Sequence, residues 1–283
     1  MEKILLLYSG GLDSRLAAKI LKDKRYDLTA VFFRLPFASW EPSGKAFLDN
    51  EAIPLKVFDC TCGRLLVEYL EVLRHPQHGR GKGYNPCLDC KLFMVRKLNE
   101  HAPFGGYTAI ATGEVPGQRP MSQTSSQMKV IEKASPLPLI RPLAEMGING
   151  KSRKKQIQLA KHYDIDFPSP GGGCLLCEKD LSERFKTLIE GGMVNEKTLP
   201  LFSLGRHFYD ERSGTWFVVG RDKNENDVIE RYQNAIPSGK GKPAVYYQDP
   251  DNEGKAKTRA ERLQKAYEHK DRQAIHEYGK WKL

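Results

Sequence analysis

KILLLYSGGLDS, residues 3–14, joins an unbroken apolar run to a glycine pair and a cluster of small polar residues. An apolar run without alternation is what a strand buried on both faces requires. Leu16, Ala17, Ile20 and Leu21 then recur with a helical period, so the glycines fall between a strand and a helix. Two glycines there permit a tight turn and let backbone N–H groups close on an anion. The helix N-terminus adds partial positive charge, and the Ser hydroxyls can donate to phosphate oxygens. Asp13 would repel a bare phosphate but suits a Mg²⁺ ion that bridges phosphates. The Walker pattern GxxxxGK[ST] is absent, which excludes a P-loop NTPase. The plain alternative is a glycine turn with an N-capping Ser.

Outward from this stretch, residues 28–33 (LTAVFF) and 54–58 (PLKVF) read as strands, the second followed by a helix at 64–74. Leu92, Phe93, Val95 and Leu98 place another helix near Cys90, and 107–112 (YTAIAT) and 137–140 (LPLI) read as further strands. Such alternation predicts a parallel sheet covered by helices. The Pro- and Gly-rich FPSPGGGC (167–174) reads as a domain junction, with a helix at 179–190 and a strand at 215–220 beyond it. Residues 236–255, rich in Pro, Gly and charge, read as a linker or exposed loop. From 255 to 283 there are nine Lys/Arg against four Asp/Glu, with Ala256, Ala260, Leu263 and Tyr267 on one helical face. The expected organisation is an α/β domain over 1–170, a smaller α+β domain over 171–240, and a basic linker and helix over 241–283.

A chain of 283 residues with 40% hydrophobic residues has enough apolar material for two cores, which excludes wholesale disorder. No apolar run approaches the roughly 20 residues of a membrane span. MEKILLLYSGG lacks the longer apolar region and small-residue cleavage site of a signal peptide, so the expectation is a cytoplasmic protein with no membrane partner. Lys plus Arg is 45 and Asp plus Glu 35, a net charge of +10, which suits attraction to a polyanion. HPQHGRGKGYN (75–85) is a basic loop that could guide such a partner. Its plain alternative is a solvated loop, and His75 and His78 read as ordinary loop residues.

All six cysteines occur in close pairs: Cys60 with Cys62, Cys87 with Cys90, and Cys174 with Cys177. These spacings suit metal binding or redox chemistry better than a disulfide framework. Cys87 and Cys90 begin a helix, where the dipole favours the thiolate. CxxC…CxxC is also the pattern of a closed Cys₄ zinc site on Cys87, Cys90, Cys174 and Cys177. Cys60 and Cys62 have no assigned task.

SGGLDS resembles the PP-loop of the ATP-pyrophosphatases, which cleave ATP to AMP and pyrophosphate while adenylating a substrate. ATGEVPGQRPMSQTSSQM (111–128) and LPLIRPLAEMGINGKSRKKQIQLA (137–160) are similar to segments of tRNA 4-thiouridine synthases. The resemblance covers about residues 1–175 and implies a Rossmann-like α/β fold of the adenine nucleotide alpha hydrolase (HUP) type. It implies that Ser9, Gly10, Gly11, Asp13 and Ser14 bind the phosphates of ATP and Mg²⁺. Gly113 and Glu114 would lie beside the nucleotide, and Lys151 would approach its phosphates; Gly113 could otherwise be a simple turn.

NPCLDC (85–90) and the later Cys174 are similar to the paired functional thiols of tRNA 2-thiouridylases, which points to Cys90 and Cys174. With Cys87 they match the three cysteines that hold a [4Fe–4S] cluster in iron–sulfur-dependent tRNA thiolases. Three readings follow: a cluster on Cys87, Cys90 and Cys174 with one open iron, a persulfide on Cys174 or Cys90 resolved by the other thiol, or structural zinc. VVGRDKNENDVI (218–229) resembles a segment of the NFACT-type RNA-binding domain. Known 4-thiouridine synthases carry an N-terminal THUMP domain, whereas this PP-loop begins at residue 9, so the C-terminal unit is the expected RNA-binding element. The implied function is ATP-dependent thiolation of a tRNA uridine, with tRNA and a sulfur donor (a cysteine desulfurase or free sulfide) as partners. The alternatives are a zinc-containing adenylating enzyme resembling a deazaguanine nitrile synthase, or a non-catalytic nucleotide-sensing RNA-binding protein.

Overall fold

The computed structural model describes residues 1–38, 43–118, 121–169, 173–248, 254–279 and 282–283. The chain divides into two units, Met1–Asp180 and Leu181–Leu283. Pro170, Gly171 and Gly172 of the expected junction lie outside the described residues, as do Arg119 and Pro120 and the stretch 249–253.

The first unit begins with β1 (Lys3–Leu7), α1 (Leu12–Asp23), β2 (Asp27–Arg34), α2 (Ser43–Asn50) and β3 (Leu55–Asp59). It continues through α3 (Gly63–Arg74), α4 (Cys87–His101), β4 (Ala109–Thr112), α5 (Ser125–Lys133), β5 (Leu139–Ile140), α6 (Pro142–Glu145) and α7 (Lys154–His162). The five strands form a parallel sheet in the order β3-β2-β1-β4-β5. β1 is central, and Ile4, Leu5 and Leu6 are fully buried, as their uninterrupted apolar run requires. Burial of each such side chain contributes about 1.5–3 kcal/mol.

α1 faces two ways. Ala17, Ala18 and Leu21 pack on Ile4, Leu6 and Ala30 of the sheet. Leu12, Leu16 and Ile20 pack instead on Val115, Leu143, Ile148 and Ala160. This second contact brings α6 and α7 against α1. β2 and β3 lie on one side of β1 and β4 on the other, so the strand order reverses between β1 and β4. The carboxyl ends of those two strands therefore open a crevice, the usual ligand site of a doubly wound sheet.

The second unit contains α8 (Ser182–Glu190), β6 (Arg206–Asp210), β7 (Thr215–Val219), α9 (Lys223–Ile229), β8 (Ala235–Ile236), β9 (Val245–Gln248), α10 (Lys255–Glu268) and α11 (Arg272–Gly279). Its antiparallel sheet has the order β6-β7-β9-β8. Phe208, Phe217, Val219 and Val245 form a core with Ala260 and Leu263 of α10. The expected stripe of α10 thus covers a sheet. Residues 241–283 contribute β9 and α10 to this unit, although their composition reads as linker and tail. The four-residue strand VYYQ is flanked by Pro and Gly, and averaging over that window hides it. Among the described residues no helix is long and apolar enough to cross a membrane.

Candidate active site

The PP-loop occupies the crevice at the end of β1. Gly10 adopts φ +79°, a left-handed conformation that glycine takes without strain, and Gly11 is the N-cap of α1. The Ser14 hydroxyl donates to the Gly11 carbonyl at 2.9 Å, and the Ser9 hydroxyl lies 3.4 Å from that of Ser14. Arg15 fixes the loop from behind: its Nε donates to the Gly10 carbonyl at 2.7 Å and a terminal nitrogen to the Asp166 carbonyl at 2.5 Å. The sequence reading did not single out Arg15, a buried arginine on an otherwise apolar helix face.

Two glycines outside the motif let neighbours close on it. A Cβ at Gly113 would lie 2.6 Å from the Asp13 carbonyl carbon and 2.8 Å from the Ser14 nitrogen. Gly113 is therefore more than a turn after β4: its backbone packs directly on the start of α1. A Cβ at Gly44 would lie 2.8 Å from the Gly10 Cα, and Gly44 is held there by the Tyr8 hydroxyl, which donates to its carbonyl at 2.8 Å.

Asp13 is half-buried, and burial raises its carboxyl above the ordinary aspartate range, opposed by Arg153 and Gln156. The Arg153 guanidinium stands 3.7 Å from its Oδ2. Gln156 faces the carboxyl, and Asp13 Oδ1 and Arg153 Nε are buried with no hydrogen-bond partner. Buried polar atoms are normally satisfied, so two such atoms side by side indicate a site shaped for a polar guest. An unpartnered carboxylate oxygen suits a hard divalent cation, so Asp13 fits Mg²⁺. Lys151 lies exposed two residues before Arg153, and it is Arg153 that reaches Asp13.

Glu114 is buried behind the crevice. Lys91 lies 3.4 Å from its Oε1 and Arg141 3.3 Å from its Oε2, while the Thr112 hydroxyl donates at 3.1 Å. Despite the desolvation penalty, these partners hold the carboxyl below the usual glutamate range. Glu114 thus joins β4, α4 and the Arg141 turn.

The thiols collect at the same end of the sheet. Cys87 and Cys90 open α4, and Cys174 forms an isolated bridge with Ala38, just past β2. The Tyr84 amide donates to the Leu176 carbonyl at 2.8 Å, tying the 75–85 loop to the Cys174–Cys177 segment. Gly83, at φ +69°, is required there, because a Cβ would meet the Leu176 carbonyl oxygen at 2.5 Å. In that loop the Arg80 guanidinium stacks over the Tyr84 ring at 3.7 Å, and His78 pairs with the Asp89 carboxylate at 2.9 Å.

All six cysteines are free. Cys87 and Cys174 are pushed up to about 12, and Cys90 is also raised. Burial is the main cause, reinforced for each by charge repulsion from the neighbouring thiols, so it outweighs the expected dipole effect of α4. Cys177 belongs with them: it hydrogen-bonds Cys87, and the Asn85 side-chain amide donates to its sulfur. The Tyr69 hydroxyl lies 3.6 Å from the Cys90 sulfur. Cys60 is buried and adds to the same electrostatic neighbourhood. A set of soft thiols has the donor chemistry for iron or zinc. Among the described residues, however, no three metal-ligating side chains are placed to hold one ion.

A parallel sheet with a glycine turn at its strand reversal defines a Rossmann-like α/β fold, the architecture in which nucleotides commonly bind at that crevice. The family described as thiamine biosynthesis protein (ThiI) matches residues 1–179, and the chain belongs to this family. A probable tRNA sulfurtransferase of Mycoplasma genitalium is 29% identical over 164 residues, covering 57% of this chain and 40% of that protein. The tRNA-specific 2-thiouridylase MnmA of Herpetosiphon aurantiacus is 29% identical over 133 residues, covering 40% and 35%. The chain thus spans two-fifths or less of the length of these curated relatives. A solved 4-thiouridine synthetase–RNA complex with bound ATP aligns at TM-score 0.47 and 22% identity, covering 71% of this chain and 52% of that one. The family match ends before the second unit and does not extend over residues 218–229.

Proposed function

We propose that this chain is an ATP-dependent tRNA thiolase, which adenylates a uridine carbonyl oxygen and replaces that oxygen with sulfur. The observation that carries the reading is a continuous path between its two kinds of chemistry. Lys91, next to Cys90, pairs with Glu114, and Gly113, next to Glu114, packs on Asp13. The cysteines that would carry sulfur and the loop that would bind phosphates are thereby neighbours at one end of one sheet.

A uridine carbonyl oxygen is a poor leaving group. Transfer of AMP onto it, with loss of pyrophosphate, gives an adenylate that a sulfur nucleophile can displace. The Gly10–Ser14 backbone and the N-terminus of α1 would stabilise charge on the phosphates. Asp13 would hold Mg²⁺, and Arg153 would balance the departing pyrophosphate. Cys87, Cys90 and Cys174 would hold the sulfur-carrying group, and a [4Fe–4S] cluster held by them would supply the sulfur nucleophile. Without a cluster, the outer sulfur of a desulfurase-supplied persulfide on one thiol would attack the adenylate and expel AMP, and a second thiol would then attack the inner sulfur, forming a protein disulfide and releasing the thiolated uridine. A second reading is a Cys₄ zinc site, in which Cys177, beside Cys87, would be the fourth thiol. The second unit would bind tRNA.

Anaerobic purification with iron, sulfide and zinc analysis separates these versions. About four irons per chain supports the cluster, whereas stoichiometric zinc without iron rejects it. Mass spectrometry of tRNA nucleosides from a deletion strain tests the reaction itself, and unchanged thionucleosides reject tRNA thiolation.

A further inference from the structure

Cys87, Cys90, Cys174 and Cys177 fall into two pairs held by different elements. Cys174 bridges to Ala38, and the Leu175 amide donates to the Phe37 carbonyl at 2.7 Å, so this cysteine is anchored just past β2. Cys90 meets the buried Tyr69 hydroxyl, on which the Cys174 thiol also acts. Cys177 is anchored elsewhere, on the segment that leads into α4. The Asn85 side-chain amide donates to its sulfur at 2.7 Å, and a Cβ at Gly83 would lie 3.1 Å from its carbonyl carbon. Together with the Tyr84–Leu176 backbone bond, the run Gly83-Tyr84-Asn85 thus lies along Leu176 and Cys177. The Cys87 and Cys177 side chains hydrogen-bond each other there.

In the persulfide route, each thiolated uridine leaves a Cys90–Cys174 disulfide behind, and the next turnover needs two electrons. Cys87 and Cys90 share the first turn of α4 at i and i+3, where side chains are neighbours and CxxC thiols exchange disulfides. Cys177 is followed by the exposed Glu178, Lys179 and Asp180, so the second pair sits at an edge that solvent reaches.

We propose that Cys87 and Cys177 are the dithiol that regenerates the sulfur-carrying pair Cys90 and Cys174 after each turnover. The inference rests on the persulfide form of the tRNA-thiolating reading and adds where the electrons come from. The Cys87 thiolate attacks the Cys90 sulfur of the disulfide, forming Cys87–Cys90 and releasing the Cys174 thiolate. The Cys177 thiolate then attacks the Cys87 sulfur, forming Cys87–Cys177 and releasing the Cys90 thiolate. Each attacking thiol gives up a proton and each released thiolate takes one, so two electrons pass from one dithiol to the other disulfide. An external dithiol then reduces Cys87–Cys177 and is itself oxidised to a disulfide.

The full chain as purified is reduced, freed of reductant, and given MgATP, an unmodified tRNA transcript and a cysteine desulfurase pre-loaded with persulfide and freed of cysteine. With tRNA in excess, wild type is expected to make about two thiolated uridines per chain and Cys177→Ser about one, because only wild type holds a second dithiol. With tRNA below the chain concentration, mass spectrometry of the unreduced digest is expected to find the wild-type disulfide at Cys87–Cys177. In Cys177→Ser the disulfide stays on Cys90. A wild-type disulfide that remains at Cys90–Cys174, equal yields from the two chains, or thiolated uridine formed with no protein disulfide overturns the inference and leaves tRNA thiolation standing. The wild-type disulfide map is decisive even where the variant fails to fold. If wild type makes no thiolated uridine with dithiothreitol present, the functional reading falls, and the inference with it.

Discussion

Asp13 shows how function and stability oppose each other at one residue. Its carboxyl is raised by burial, so ionising it disfavours the folded state as pH rises through its folded value. Asp13→Asn removes that charge and is expected to raise the melting temperature at neutral pH while lowering ATP-dependent pyrophosphate release by about 100-fold or more. Calorimetry and a pyrophosphate assay on the same preparation check both halves. Gly113→Ala should act oppositely on stability, because its Cβ would enter the Asp13 backbone. A loss of about 1–3 kcal/mol in denaturant unfolding, with weakened ATP binding, is expected. SGGLDS was legible because strand, turn and helix start are contiguous. Arg153 and Gln156 reach the same carboxylate from about 140 residues away in the sequence, and no local pattern marks them. Lys151 is the residue the family resemblance implies for the phosphates, whereas the contact with Asp13 comes from Arg153 two positions on, which that resemblance did not mark.

At the scale of elements, the Glu114 junction holds the two halves of the site in register. Lys91 on α4 and Arg141 before α6 both converge on a carboxylate at the end of β4. Glu114→Ala takes from the half-buried Lys91 its carboxylate and leaves Arg141 with Glu132 as its remaining one, and a loss of about 3 kcal/mol is expected. Because Glu114 is held below its ordinary range, its contribution is present above that range and disappears as pH falls through the folded value. The variant should therefore lose less stability than wild type on acidification from neutral pH, which denaturant titrations along a pH series would detect. The parallel sheet was readable from uninterrupted apolar runs such as KILLLY and LTAVFF. β6 and β9 were not, since RHFYD and VYYQ are short and partly polar, and their pairing is non-local. The expected thiolate-favouring effect of α4 is real in sign but is overridden by burial, which residue order does not reveal.

For the molecule as a whole, each unit has its own core, so unfolding should show two transitions, with MgATP raising that of Met1–Asp180. The second unit carries its own acid sensitivity. Trp216 Nε1–H donates to His207 Nδ1 at 3.2 Å, and His207 Nε2–H donates to the Leu204 carbonyl at 2.7 Å. Burial lowers this imidazole to about 3. The unfolded chain takes up a proton near the ordinary value and the folded one does not, so stability falls between the two by up to about 1.4 kcal/mol per pH unit. His207→Gln should flatten that slope in the transition of this unit. The hydrogen bond from the Tyr84 amide to the Leu176 carbonyl has a temporal consequence. Cys90 leaves the ribosome 84 residues before Cys174, an interval of about 4–17 s at ordinary elongation rates. During that time the early thiols lie open on a nascent chain, without the loop closure that later encloses them. Under the proposed function, sulfur or metal would be loaded after translation of the first unit, and the half-made site is where oxidants have their best access.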